Sequence, residues 1–425
     1  MPPDPSLSRR EYLKAAVALG GAAGLSACLD RLGDRDPVPR GVDDPASLPR
    51  RQFAWNDRIR HDDDGNALLP RHQTLWYLDL PGDGPPDAAA RERVETSLAA
   101  LDRAYERSHE GLLHSVAYSP AYFDRYDESL PDGVDLPEPR RLSEFETPEF
   151  DRQDALLHLA SDRADVVLTA EEALRGETAA NGVDVPPLTE VLEVDDRRTG
   201  FVGAGLPAKH QDVAGIPEST PVPEESPLFM GFAAGFAGNQ ASEDYVTIES
   251  GPFAGGTTKV VSNLRQRLED WYGEQEYDDR VAELFSPTHA ERGWVEGVGE
   301  NLGANSRVDE VVDRLFDDAR DSGRVGHAQK AARANRDEAG NVRMLRRHFE
   351  STDHDVASLH FPSLQRGVTA FEEVRRAMNG ADVTRETPTV RQRVNNGILE
   401  YVFVRHRGNF LVPPRDHRSL PTPRP

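Results

Sequence analysis

Cys28 is the only cysteine in the 425-residue chain, and no spacing of cysteine or histidine suggests a zinc or iron–sulfur site. Ahead of Cys28 stand Arg9 and Arg10, then an apolar run of mostly small residues from Ala15 to Ala27. A charged start, an apolar stretch shorter than the ~20 residues that cross a bilayer, and small residues before a thiol together read as an export signal. The paired arginines predict a twin-arginine address, and cleavage before Cys28 would leave that residue to carry a lipid. A buried thiol of the fold is the plain alternative. The chain has neither a Walker-type loop nor a GxSxG elbow. Its remaining groups with chemical reach are thirteen histidines and an arginine cluster of Arg343, Arg346 and Arg347. Read alone, His327 is a histidine in a polar loop and the cluster is a solvated basic patch.

The formal charge of −24, from 74 acidic and 50 basic residues, argues against a nucleic-acid partner held through phosphates. Only four bases are lysine: Lys14, Lys209, Lys259 and Lys330. Abundant acid with so little lysine suits a surface in very high salt, where screening removes self-repulsion. A base composition favouring arginine codons would explain the missing lysine but not the excess acid.

These residues need elements to position them. Gln73–Leu80, Leu112–Tyr118 and Asp154–Leu159 read as strands, with helices over Asp87–Tyr105 and Ala164–Leu174 and a further strand around Thr189–Asp195. That order predicts a split βαβ, ferredoxin-like unit. It recurs later, with strands at Tyr245–Ile248, Thr257–Val261, Val356–Phe361 and Leu399–Val404 and helices beginning near Asn263 and Gly367. The fold class predicted is α+β, two ferredoxin-like halves with antiparallel sheets. The boundaries are a signal over 1–28, a flexible tether over 29–71, halves over 72–235 and 236–415, and a tail over 416–425.

Several segments, in this order, resemble the dye-decolourising peroxidase family. Gly111–Arg125 resembles its strand leading to an "FDR" segment, and Gly255–Trp271 its "GGTYLVVRRLR" passage. Gly326-His327 and Met344-Leu345-Arg346-Arg347 resemble its ligand histidine and the "ILRR" that carries its distal arginine. The resemblance implies a dimeric α+β barrel with haem b (iron protoporphyrin IX) in a cavity between the halves, peroxide and an electron donor as small-molecule partners, and a membrane met only through the lipid anchor. Oligomeric state stays open.

On that resemblance His327 is the axial iron ligand, with Asp382 or Glu386 as the carboxylate that orients it. Arg346 is the distal catalytic group, stabilising charge on the departing oxygen, and Gly231 and Gly235 let backbone approach the macrocycle. The sequence departs from the family at Met230-Gly-Phe-Ala-Ala-Gly235, where Ala234 takes the place of the aspartate in "GxxDG". A methyl group cannot accept a proton. Asn239, Glu243 and Asp244 are the nearby polar residues that could reach the cavity instead. Two other readings stay open: a non-catalytic haem-binding lipoprotein, and a haem-free binding module.

Overall fold

Six consecutive side chains of β1 (His72–Asp79) are buried, from Gln73 to Leu78, so both faces of this strand are covered. It pairs antiparallel with β3 (Ala155–Ser161) on one side and β4 (Glu193–Phe201) on the other, and β3 pairs with β2 (Leu113–Tyr118). Helices α1 (Ala88–Ala104), capped by Asp87 Oδ1 accepting from the Ala90 amide, and α2 (Ala164–Leu174) complete this half. The strand order β4-β1-β3-β2 is that of a ferredoxin-like unit.

The second half repeats the order. Its strands are β5 (Thr257–Gln266), the short β6 (Leu345–Arg346) and β7 (Phe349–Ser351), β8 (Ser358–Gln365) and β9 (Val402–Val412). β5 runs antiparallel to both β8 and β9, and β8 pairs with β6 and β7. Two further ladders join the halves, β2 to β9 at Tyr118–Leu411 and β4 to β7 at Phe201–Glu350. The sheet therefore closes on itself as a barrel, which removes exposed edges.

The computed structural model describes residues 36–425, of which Arg40–Pro425 form one compact unit. Arg9, Arg10 and Cys28 lie outside the described residues. No helix among the described residues is long and apolar enough to cross a membrane.

The tether expected over 29–71 is corrected from Arg40 onward. Phe53 and Trp55 are each 2% exposed, and the Gln52 side chain donates to the Pro413 carbonyl and accepts from the Val116 amide. A few well-placed aromatic residues anchor this otherwise polar stretch. The expected tail over 416–425 is likewise built in: Leu420 is buried, and its amide donates to the Tyr118 hydroxyl.

Tyr245–Ile248 is a turn, not a strand. The Tyr245 amide donates to Ser242 Oγ and the Thr247 hydroxyl to the Glu243 carbonyl, local bonds that outcompete a ladder. β5 runs on to Gln266, through the residues expected to begin a helix, because it is central in its half and paired along both edges.

Candidate functional site

Between β5 and β6 the chain makes a long crossover through α3 (Leu268–Gly273), α4 (Tyr277–Leu284), a short turn of helix at Pro287–Glu291, α5 (Leu315–Ser322) and α6 (His327–Ala334). α6 begins at the Gly326-His327 step. A Cβ at Gly326 would fall 1.8 Å from the Phe285 carbonyl oxygen, so only glycine lets the chain turn into the helix there. The next turn is clamped from within. Gln329 donates to the Val311 carbonyl and Asp318, and the Lys330 ammonium donates to the carbonyls of Met378 and Asn396 and to Asn396 Oδ1.

His327, held at this fixed helix start, lines a cavity whose walls include Met230, Phe232, Phe285, Leu359 and Phe361. A second chamber, lined largely by apolar residues such as Phe145, Phe371 and Met378, adjoins it, and His327, Arg346 and Phe361 face both. His327 Nδ1 is buried without a hydrogen-bond partner. Burial, with Lys330 and Arg346 nearby, pulls its pKa down to about 3, so the imidazole is neutral and its nitrogen lone pair is free. Neither expected orienting carboxylate is on it: Asp382 pairs with Arg333 at 2.7 Å on the surface, and Glu386 is exposed.

Arg346 enters the same cavity from β6. Its Nη2 donates to the Asn239 carbonyl at 3.1 Å and its Nε to Gln240 Oε1 at 3.3 Å. No carboxylate among the described residues pairs with it. Burial lowers its pKa only to about 10, so it stays a cation at neutral pH. Arg347 faces the other way, into the barrel, where Glu243 and Asn56 hold it.

The remaining expected residues divide. Ala234 and Gly235 line the cavity; Gly231 does not, and its glycine answers to φ +88° and a Tyr272 hydroxyl that a Cβ would meet at 2.8 Å. Asn239 lines the cavity with its Oδ1 unpartnered. Glu243 is committed to the Trp55 and Asn56 amides and Arg347, and Asp244 sits exposed beside Arg51. Two lining residues escape the sequence reading, His348 and Glu350. They lie two and four residues beyond Arg346, and the period-2 alternation of an extended strand puts all three on one face.

Glu350 is fully buried and accepts from the Phe229 amide and the Gln266 side chain, and burial pushes its pKa up to about 8. Among the described residues no group of three His, Cys, Asp or Glu side chains is placed to hold a bare metal ion.

The fold is shared with solved dye-decolourising peroxidases at low identity. The encapsulated DyP-type peroxidase of Mycobacterium smegmatis is 14% identical with a TM-score of 0.54, covering 84% of this chain and 97% of its own. DyPB of Rhodococcus jostii is 16% identical with a TM-score of 0.53, covering 83% and 95%. A DypB variant of that organism in complex with haem is 18% identical with a TM-score of 0.51, covering 84% and 98%. No curated protein sequence matches. At such identities the likeness carries the fold, and sequence kinship comes from a family profile matching residues 70–414: the chain, built on the dye-decolourising peroxidase fold, belongs to the family of unknown function DUF7405.

Proposed function

We propose that this protein is a haem-dependent peroxidase that reduces peroxide at the expense of a small-molecule donor. One observation carries the reading: a neutral imidazole, His327, shares a cavity of mainly apolar lining with Arg346, and among the described residues the first has no hydrogen-bond partner and the second no carboxylate partner. The residues fit a haem. A porphyrin supplies four of the iron's ligands, so one protein imidazole suffices where a bare ion would need a cluster. The apolar walls suit a macrocycle, and Arg375, paired with Glu146, and Arg393, bonded to backbone carbonyls, add positive charge to the wall of the adjoining chamber.

When bound, haem supplies the electron-transfer chemistry that the side chains lack. His327 holds and orients it. Arg346 presents a fixed positive charge to an oxygen gaining negative charge. The finer assignment to haem b rests on a non-covalent site, since the chain's one cysteine is assigned elsewhere. That cysteine, Cys28, is proposed as the lipid-bearing residue after twin-arginine export through Arg9 and Arg10, which would hold the protein on the outer membrane face. A salt-rich setting fits the placement of lysine: Lys259 and Lys330 are buried, and among the described lysines only Lys209 is exposed.

The test is peroxide consumption by haem-loaded protein with an aromatic donor in concentrated salt. R346L is expected to lower kcat/KM by about 10²–10³-fold, the usual cost of losing a charge-stabilising donor. Turnover no faster than free haem would favour the non-catalytic haem-binding reading, which Ala234 makes the natural rival.

A further inference from the structure

The cavity contains a second unengaged imidazole, and we infer that His348 is the base that takes a proton from a hydroperoxide held beside Arg346, in place of the carboxylate missing at Ala234. The inference rests on the haem reading of the same site.

His348 is 7% exposed, its Nδ1 is buried without a hydrogen-bond partner, and its ring stacks on Phe361 with centroids 6.1 Å apart and planes 18° apart. A buried imidazole left unsatisfied costs stability, and in a cavity such a group marks a site for something that binds there. The ring lies against the loop that lost the acid: a Cβ built on Gly235 would be 3.7 Å from His348 Cε1. His348, Ala234 and Gly235 line the inner cavity and also a recess bounded by Asp62, Asp63, Asp64 and Glu300. The imidazole therefore stands where that recess meets the inner cavity.

Competing bases are otherwise engaged. Glu350 already accepts two hydrogen bonds, Asn239 carries an amide, Glu243 and Asp244 line neither space, and Ala234 has no titratable atom. The charged and titratable groups lining the same spaces are Arg346 and Glu350 from its own strand segment, His327 and Arg336 in the inner cavity, and Arg60, Arg71, Glu225, Glu300 and Asp62 to Asp64 across the recess. The loop Gly231–Gln240 presents none. Burial first, and Arg346 second, depress the imidazole to about 3, so it is neutral well into acid. In the step, an O–H bond of the hydroperoxide breaks and leaves its electron pair on oxygen. The proton forms an N–H bond on His348, and the new anion faces Arg346; no electrons change hands. The resulting imidazolium is destabilised by burial and by Arg346, so it readily gives the proton back.

Hydrogen cyanide must also lose a proton to bind ferric haem, and its association is followed by the Soret shift without any turnover. Stopped-flow cyanide association in haem-loaded H348Q is expected to be slower by about 100-fold or more, within the range for a lost general base. The A234D/H348Q double variant is expected to regain at least about tenfold, and H348L stands in if H348Q does not fold. A normal Soret band with cyanide association within about threefold of wild type overturns the role of His348 alone. Wild-type protein that gives no Soret band overturns this inference together with the haem reading.

Discussion

The two halves run β-α-β-β-α-β in the same order, yet their buried imidazoles differ. In the first half His114 Nε2 lies 2.9 Å from Asp102, and His158 Nε2 lies 2.8 Å from Gln73 Oε1. Glu171 there accepts from both Trp76 and Arg197, closing α2 onto the sheet. In the second half His289 and His360 are likewise bonded, to Ser286 and Asn263, whereas His327 and His348 make no side-chain hydrogen bond among the described residues and stand on the walls of one cavity. The crossover explains the difference. A single helix and a short loop link β1 to β2, whereas the link from β5 to β6 is long enough to build a chamber and hang His327 in it. Burial of a histidine therefore says little about function; burial with nothing to bond to, beside empty space, says much.

The sharpest way to break this contrast is to unbalance the closed half. Asp102 faces His114, Arg415 and Arg418, and D102A would leave the buried Arg415 guanidinium without its anion and Arg418 with Glu95 alone. The expected loss is about 3–5 kcal/mol by urea unfolding at fixed salt. A loss under about 1 kcal/mol would mean that Asp102 does not hold the first half together as its contacts imply.

Next comes Glu350. Its pKa is raised, so the folded protein keeps a proton that the unfolded chain releases, and stability falls as pH rises from about 4.5 to about 8. E350Q should flatten that slope, which is at most about 1.4 kcal/mol per pH unit. His348 acts in the opposite sense. The fold keeps this ring neutral where the unfolded chain would protonate it, so stability is full above pH 6.5 and lost as pH falls toward 3. Haem-free H348Q should recover about 2 kcal/mol of that loss at pH 5. Parallel curves for wild type and H348Q would show that the ring titrates normally.

The smallest effect is expected at Asp382. Its pair with Arg333 is exposed on both sides, so D382A should change stability by about 0–1 kcal/mol and leave haem affinity unaltered. A large loss of haem affinity would return Asp382 to the role that the resemblance implied.

Much of this was legible before any coordinates. β1, β2 and β3 are apolar runs bounded by turn residues, and their buried centres made the first half readable. His327 and Arg346 came from resemblance, because one histidine in a polar stretch carries no periodic signal. His348 and Glu350 were within reach, at alternate positions from Arg346, but Leu345–Arg346 and Phe349–Ser351 are too short to announce themselves as strands. Residues 40–71 misled because composition averages over a segment, while Phe53 and Trp55 anchor it individually. The surroundings of His327 were not legible at all: which carboxylate would meet its imidazole depends on how the crossover folds, and among the described residues none does.

The most direct measurement is a haem titration of the wild-type protein and H327A in concentrated salt, read in the Soret region. Saturable binding by the wild type, with an axial-imidazole spectrum that disappears in H327A, is the predicted result. An unchanged spectrum in H327A, or no binding by a folded wild type, would contradict the assignment of this cavity.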